Sequence, residues 1–126
     1  MISGNFGDNG ELYFEIQLVG TNGEEFSIEA LLDTGFTDGW LTINTQDLDA
    51  VGWSLLIAQV EMRTARGDAR LNIHKGKVII DGTEVIVPVH VGDDIPDTLI
   101  GSLWLDIMQL VVNKPKGILT LEIMNE

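Results

Sequence analysis

The residues best placed to do chemistry are Leu31-Leu32-Asp33-Thr34-Gly35. An acid at the end of an apolar strand, followed by a small hydroxyl residue and a glycine, puts a carboxylate where the core ends. There it is partly dry and has backbone N–H groups nearby. Glycine lets the chain turn tightly and exposes its own amide. Threonine can hydrogen-bond to a neighbouring backbone. Taken alone, Asp-Thr-Gly also fits a strand that simply ends in a turn, because Asp and Gly are turn residues.

Other chemistries find less support. His74 and His90 fall in strand-like segments with no ligand spacing between them, and no metal is expected. Ser54 and Ser102 have no histidine–acid partner legible in the sequence. Neither G-x-x-x-x-G-K nor G-x-G-x-x-G occurs, so no phosphate loop and no cofactor is expected. With no cysteine there is neither a disulfide framework nor a thiolate metal site. Arg66-Gly67-Asp68 reads as a turn.

The elements that must position Asp33 are short and apolar, punctuated by 14 glycines, which is the rhythm of an all-β domain. Residues 11–19 alternate, with Phe14, Ile16 and Leu18 on one side and Glu15 and Gln17 on the other, as a half-buried strand does. Asn22-Gly23 then signals a hairpin, and Phe26 to Leu32 is the returning strand. Leu41-Thr42-Ile43 is a short strand. Asn44 or Thr45 caps a brief helix through Gln46–Val51, which Gly52 stops. Gln59 to Thr64 and Arg70 to Ile73 flank a hairpin tip at Ala65–Ala69. Lys77 to Ile80 and Glu84 to Val91 are strands around an Asp81-Gly82 turn. Thr98-Leu99-Ile100-Gly101 is a short strand with a glycine stop. Ser102 is expected to cap a helix over Leu103–Met108, where Leu103 and Ile107, and Trp104 and Met108, lie four apart. Trp104 is the tryptophan expected to be buried. Gln109 to Val112 extends, Lys114–Gly117 turns, and Ile118 to Ile123 is the last strand.

At 126 residues the chain is expected to be one domain. The net charge of −13, from 20 acids and 7 bases, makes nucleic acid and anionic membrane surfaces poor partners. No run approaches the roughly 20 apolar residues of a membrane span. Met1-Ile2-Ser3-Gly4-Asn5 shows no basic stretch leading into an apolar one, so the expected location is cytoplasmic.

Order and spacing carry more information than the tripeptide. Leu99-Ile100-Gly101 follows Asp33 by 66 residues and leads into the helical segment and the closing strands. From about residue 11 to residue 123 the chain resembles the retropepsin-like aspartic proteases, the small stand-alone bacterial type in particular. In that family an Asp-Thr/Ser-Gly loop is followed by a flap hairpin. An apolar-apolar-Gly segment, a short helix and a closing strand come next. The segment Phe36-Thr37-Asp38-Gly39-Trp40-Leu41-Thr42-Ile43 also looks like the bacterial subgroup. The resemblance implies an all-β, closed retropepsin-like barrel with a flap hairpin and one short C-terminal helix. One departure is Phe36, which stands where the commonest motif has Ala or Ser. Its ring either narrows the substrate groove, alters its specificity or points into the core.

The resemblance also implies an aspartic endopeptidase. That chemistry needs two carboxylates sharing one proton, and the sequence holds Asp-Thr-Gly once. Asp68 and Asp81 lie outside any comparable motif, so a second copy is expected to supply a second Asp33 at a two-fold axis. On this reading Asp33 is catalytic, while Thr34 and Gly35 support the loop. Arg66, Gly67 and Asp68 form the flap, and Phe36, Ile100 and Gly101 belong to the groove. The substrate is an extended peptide or protein, bound along strand edges. Mildly acidic conditions, about pH 4–6, suit the shared proton and weaken the repulsion between two acidic subunits. A non-catalytic retropepsin-like domain for dimerisation or peptide binding is a second reading. An unrelated acidic β-barrel with a chance Asp-Thr-Gly is a third.

Overall fold

The computed structural model describes residues 1–64, 67–93 and 95–124, with the side chains of residues 63 and 64 excepted. The chain opens with two short strands, β1 (Ile2–Ser3) and β2 (Asn5–Phe6). The alternating segment forms β3 (Leu12–Val19), with Phe14, Ile16 and Leu18 buried and Glu15 exposed. Gly23, at φ 87°, makes the turn to β4 (Glu25–Leu32). Next come β5 (Leu41–Asn44) and α1 (Thr45–Val51). The expected caps are in place: the Asn44 side chain accepts from the Asp47 amide at 2.9 Å, and Gly52 closes the helix in the left-handed region.

The following hairpin is longer than the sequence suggests. It consists of β6 (Leu55–Thr64) and β7 (Gly67–Ile80). Sequence pattern missed Leu55–Ala58 as strand because all four residues are exposed and show no alternation. It also split β7 in two, because Lys75 and Gly76 interrupt the apolar rhythm. Glycine suits position 76 because a side chain there would collide with Val89 and crowd Trp53. Two register shifts, with Gln59 at φ 59°, bulge β6, which blunts it as an edge strand.

Asp81-Gly82 turns into β8 (Thr83–Gly92), and β9 (Thr98–Ile100) follows. The expected helix over Leu103–Met108 is instead a 3-10 helix at Ser102–Asp106, followed by β10 (Met108–Asn113) and β11 (Ile118–Ile123). The expected short C-terminal helix is thus present in 3-10 form, and it ends two residues before Met108. Ile107 bonds back only three residues to Trp104, and its carbonyl accepts the Met124 amide, which turns the chain into β10. Nor does Ser102 cap: the N-cap is Gly101, and the Ser102 hydroxyl donates to the Thr37 carbonyl at 3.3 Å. A second 3-10 turn, Lys114–Lys116, joins β10 to β11.

The larger sheet runs β2-β3-β4-β9-β5-β8-β7-β6, and β3 also pairs with β7. That extra pairing, Gln17 with Ile79 and Leu18 with Val78, closes β3-β4-β9-β5-β8-β7 into a six-stranded barrel. A second sheet, β1-β11-β10, packs onto it. Gly4 links the two sheets: its amide donates to the Leu119 carbonyl, and a side chain there would strike Tyr13 and Phe14. One core cluster joins Phe14, Ile16, Leu41, Ile43, Val78, Ile100, Trp104, Leu119 and Leu121. Among the described residues no helix is long and apolar enough to cross a membrane.

Candidate functional site

Asp33 follows directly on β4, where a parallel pairing sets Leu32 opposite Ile100 of β9. On its other side β9 pairs antiparallel with β5, Leu41 opposite Ile100. Thus β9 divides the two strands that the 33–40 loop connects. The loop leaves one neighbour of Ile100 and returns on the other. This topology explains why Leu99-Ile100-Gly101 and Leu32-Asp33-Thr34-Gly35 matter together although 66 residues separate them.

Backbone bonds pin the loop to that segment. The Asp33 amide donates to the Ile100 carbonyl (2.9 Å), Gly101 donates to Trp40 (2.8 Å), and Ser102 donates to Phe36 (2.9 Å). The Trp104 indole N–H also donates to the Trp40 carbonyl at 2.8 Å, and the two indole rings meet edge to face at 4.9 Å. Trp104 is buried, as expected. The loop is therefore held by hydrogen bonds to β9 and to the segment that follows it.

The Asp33 side chain is half-buried, and its Oδ1 accepts the Gly35 amide at 2.9 Å. A carboxylate fixed by a backbone amide keeps a defined orientation. Among the described residues no second carboxyl group is hydrogen-bonded to it. Thr34 and Gly35 are exposed.

Phe36 is 5 % exposed and both lines a groove and packs inward. Its ring meets His90 edge to face, with centroids 5.2 Å apart. Two glycines make room for it. A methyl group at Gly39 would come within 1.9 Å of the ring, and one at Gly101 would come within 2.9 Å of the ring and 2.0 Å of the Gly39 carbonyl oxygen.

The groove has a volume of about 630 Å³. One wall is the loop, through Gly35, Phe36, Thr37, Asp38 and Trp40, with Leu103 beside it. The other comes from the β6–β7 hairpin, through Val60, Glu61, Met62 and Ile73, with Pro88 and His90 of β8 completing it. Ile100 and Gly101 are buried, and they bear on the groove by holding its loop rather than by lining it. Gly67 and Asp68 begin β7, both exposed, while Arg66 lies outside the described residues.

Sequence reasoning passed over the β6, β7 and β8 members of this groove. Its one usable signal was the hairpin around residue 67; which side chains of the arms face the loop depends on register. His90 was read as a strand residue only. Its Nδ1 and the Thr42 Oγ1 are buried and have no hydrogen-bond partner among the described residues, and the two residues are paired in the β5–β8 register. Burial holds the His90 imidazole below its ordinary pKa. Among the described residues no cluster of three or more His, Asp or Glu side chains could hold a metal ion.

No family model matches the sequence, and no curated protein matches it. Solved structures do. A retropepsin-like aspartic protease from Rickettsia conorii matches with a TM-score of 0.65 and 21 % identity, over 98 % of this chain and 89 % of that one. The EIAV protease, solved in complex with the inhibitor HBY-793, matches with a TM-score of 0.64 and 16 % identity, over 86 % and 99 %. This is a retropepsin-like fold. At these identities the likeness establishes the arrangement of strands, and the retropepsin-like barrel here keeps its Asp-Thr-Gly loop beside β9.

Proposed function

We propose that the chain is an aspartic endopeptidase, active in the cytoplasm as a homodimer in which two Asp33 carboxylates meet at the two-fold axis. The carrying observation is Asp33 at the end of β4, oriented by the Gly35 amide, in a retropepsin-like fold. Two such carboxylates close together cannot both ionise freely, so they share a proton. The ionised one would take a proton from a water held between them as the water oxygen bonds to the carbonyl carbon, and the protonated one would hydrogen-bond the carbonyl oxygen as that carbon becomes tetrahedral. The C–N bond then breaks, with a carboxyl proton passing to the leaving nitrogen. Thr34 would bond to the partner subunit's loop. The β6–β7 hairpin, with Gly67 at φ 109° near its bend, would act as the flap over an extended peptide.

Cleavage of an unstructured protein in mild acid, blocked by pepstatin and lost in Asp33→Asn, tests this reading. Persisting cleavage in Asp33→Asn would remove Asp33 from the mechanism. The buried ring of Phe36, in a position where the family's commonest motif carries a small residue, favours one rival: a peptide-binding domain without turnover. That rival predicts equal peptide binding by the wild type and Asp33→Asn, with no product from either.

A further inference from the structure

We infer that the groove between the 33–40 loop and the β6–β7 hairpin selects a basic side chain, Lys or Arg, of an extended peptide. The inference rests on the reading of this groove as a peptide site and adds the substrate class.

The walls combine apolar side chains, Trp40, Val60, Met62 and Leu103, with polar surface. Two acidic residues belong to opposite walls, Asp38 on the loop and Glu61 on β6, both exposed, and none of the described lining residues is a Lys or Arg. Asp38 makes no ion pair among the described residues. Glu61 has only a long contact to Arg70, 3.7 Å, between two strongly exposed side chains, and such pairs contribute little. A groove that offers both apolar surface and weakly paired carboxylates suits a side chain with a methylene stem and a cationic head. Such side chains lay the stem on apolar surface and keep the head in water. An acidic side chain in the same place would face two like charges. The whole chain adds to this preference: at −13 it draws in cationic peptides and repels anionic ones, more so at low salt.

The test uses the full chain and a set of unstructured peptides that differ only by lysine or its neutral isostere norleucine at each position in turn. We expect lysine to raise kcat/KM about fivefold over norleucine at one position, mainly through KM and less so in high salt. In Asp38→Asn that lysine-to-norleucine ratio should fall to near one, while Asp38→Glu should restore it. Glu61→Gln, on an exposed strand, gives a second reading should Asp38→Asn lower the melting temperature. Cleavage with no lysine advantage, or an advantage untouched by both variants, would overturn the inference and leave the protease reading standing. If the wild type cleaves none of the peptides, the protease reading fails instead. Fluorescence anisotropy of the same peptides then decides the inference, since equal binding of lysine and norleucine peptides would sink it.

Discussion

The Phe36 ring fills the space that any side chain at Gly39 would need, its Cζ standing 1.9 Å from where a methyl group there would sit. Gly101 is closed off differently, by the Gly39 carbonyl oxygen at 2.0 Å. One clash is with a side chain and the other is with backbone, so their remedies differ. Gly39→Ala should destabilise the protein by about 1–3 kcal/mol through overpacking. Adding Phe36→Ala should recover part of that loss, because the two sites are coupled. Gly101→Ala should be at least as harmful, and Phe36→Ala should not rescue it. Denaturant melts of the three single and two double variants measure this.

Mixing subunits tests the shared site. If one Asp33 from each copy is required, a mixed dimer with Asp33→Asn is inactive. Once subunits exchange, an equal mixture should keep about a quarter of the activity of a preparation that is all wild type at the same total concentration. A value of about one half would mean that each subunit works alone. Asp33→Asn by itself should keep the dimer mass and the circular dichroism spectrum.

His90 makes acid costly to the fold. Burial lowers its pKa below the ordinary value near 6.5. Between the lowered value and 6.5 the unfolded chain therefore binds a proton that the folded chain refuses. The contribution of His90 is complete above about pH 6.5 and is lost progressively below it. His90→Leu should flatten the fall in melting temperature between about pH 7 and pH 5. If both proteins show the same slope, other groups control it. Acid would then loosen the wall behind Phe36.

Asp81 ties the chain ends to the β7–β8 turn. Its Oδ1 accepts from the Met1 ammonium and its Oδ2 accepts the Ile123 amide at 2.8 Å. The hydrogen bond from Met1, then that from Ile123, lowers its pKa below the ordinary 3.8. This contribution is present above that value and is lost as pH falls through the lowered one. Asp81→Asn should lower the melting temperature at neutral pH, and the gap to wild type should close only in strong acid. A gap that is absent at neutral pH would show that the turn does not hold the ends.

The sequence by itself determined the strand-rich class, the alternation of β3, the capped helix α1 and the loop that carries Asp33. These are local matters: side-chain period, cap chemistry and glycine turns act within a few residues. It also marked Leu99-Ile100-Gly101 through order and spacing, without saying how that segment touches Asp33. Only the tertiary structure decided that β9 lies between β4 and β5, that β3 meets β7 to close the barrel, and that the Phe36 ring sits against Gly39, Gly101 and His90. The length of β6, the 3-10 form of Ser102–Asp106 and the groove walls of β6, β7 and β8 were settled there too. Pairing between distant strands depends on register and shared burial, which no short window of sequence contains. Asp81, read as an ordinary turn acid, acquired its partners for the same reason, since Met1 and Ile123 reach it only in the folded chain.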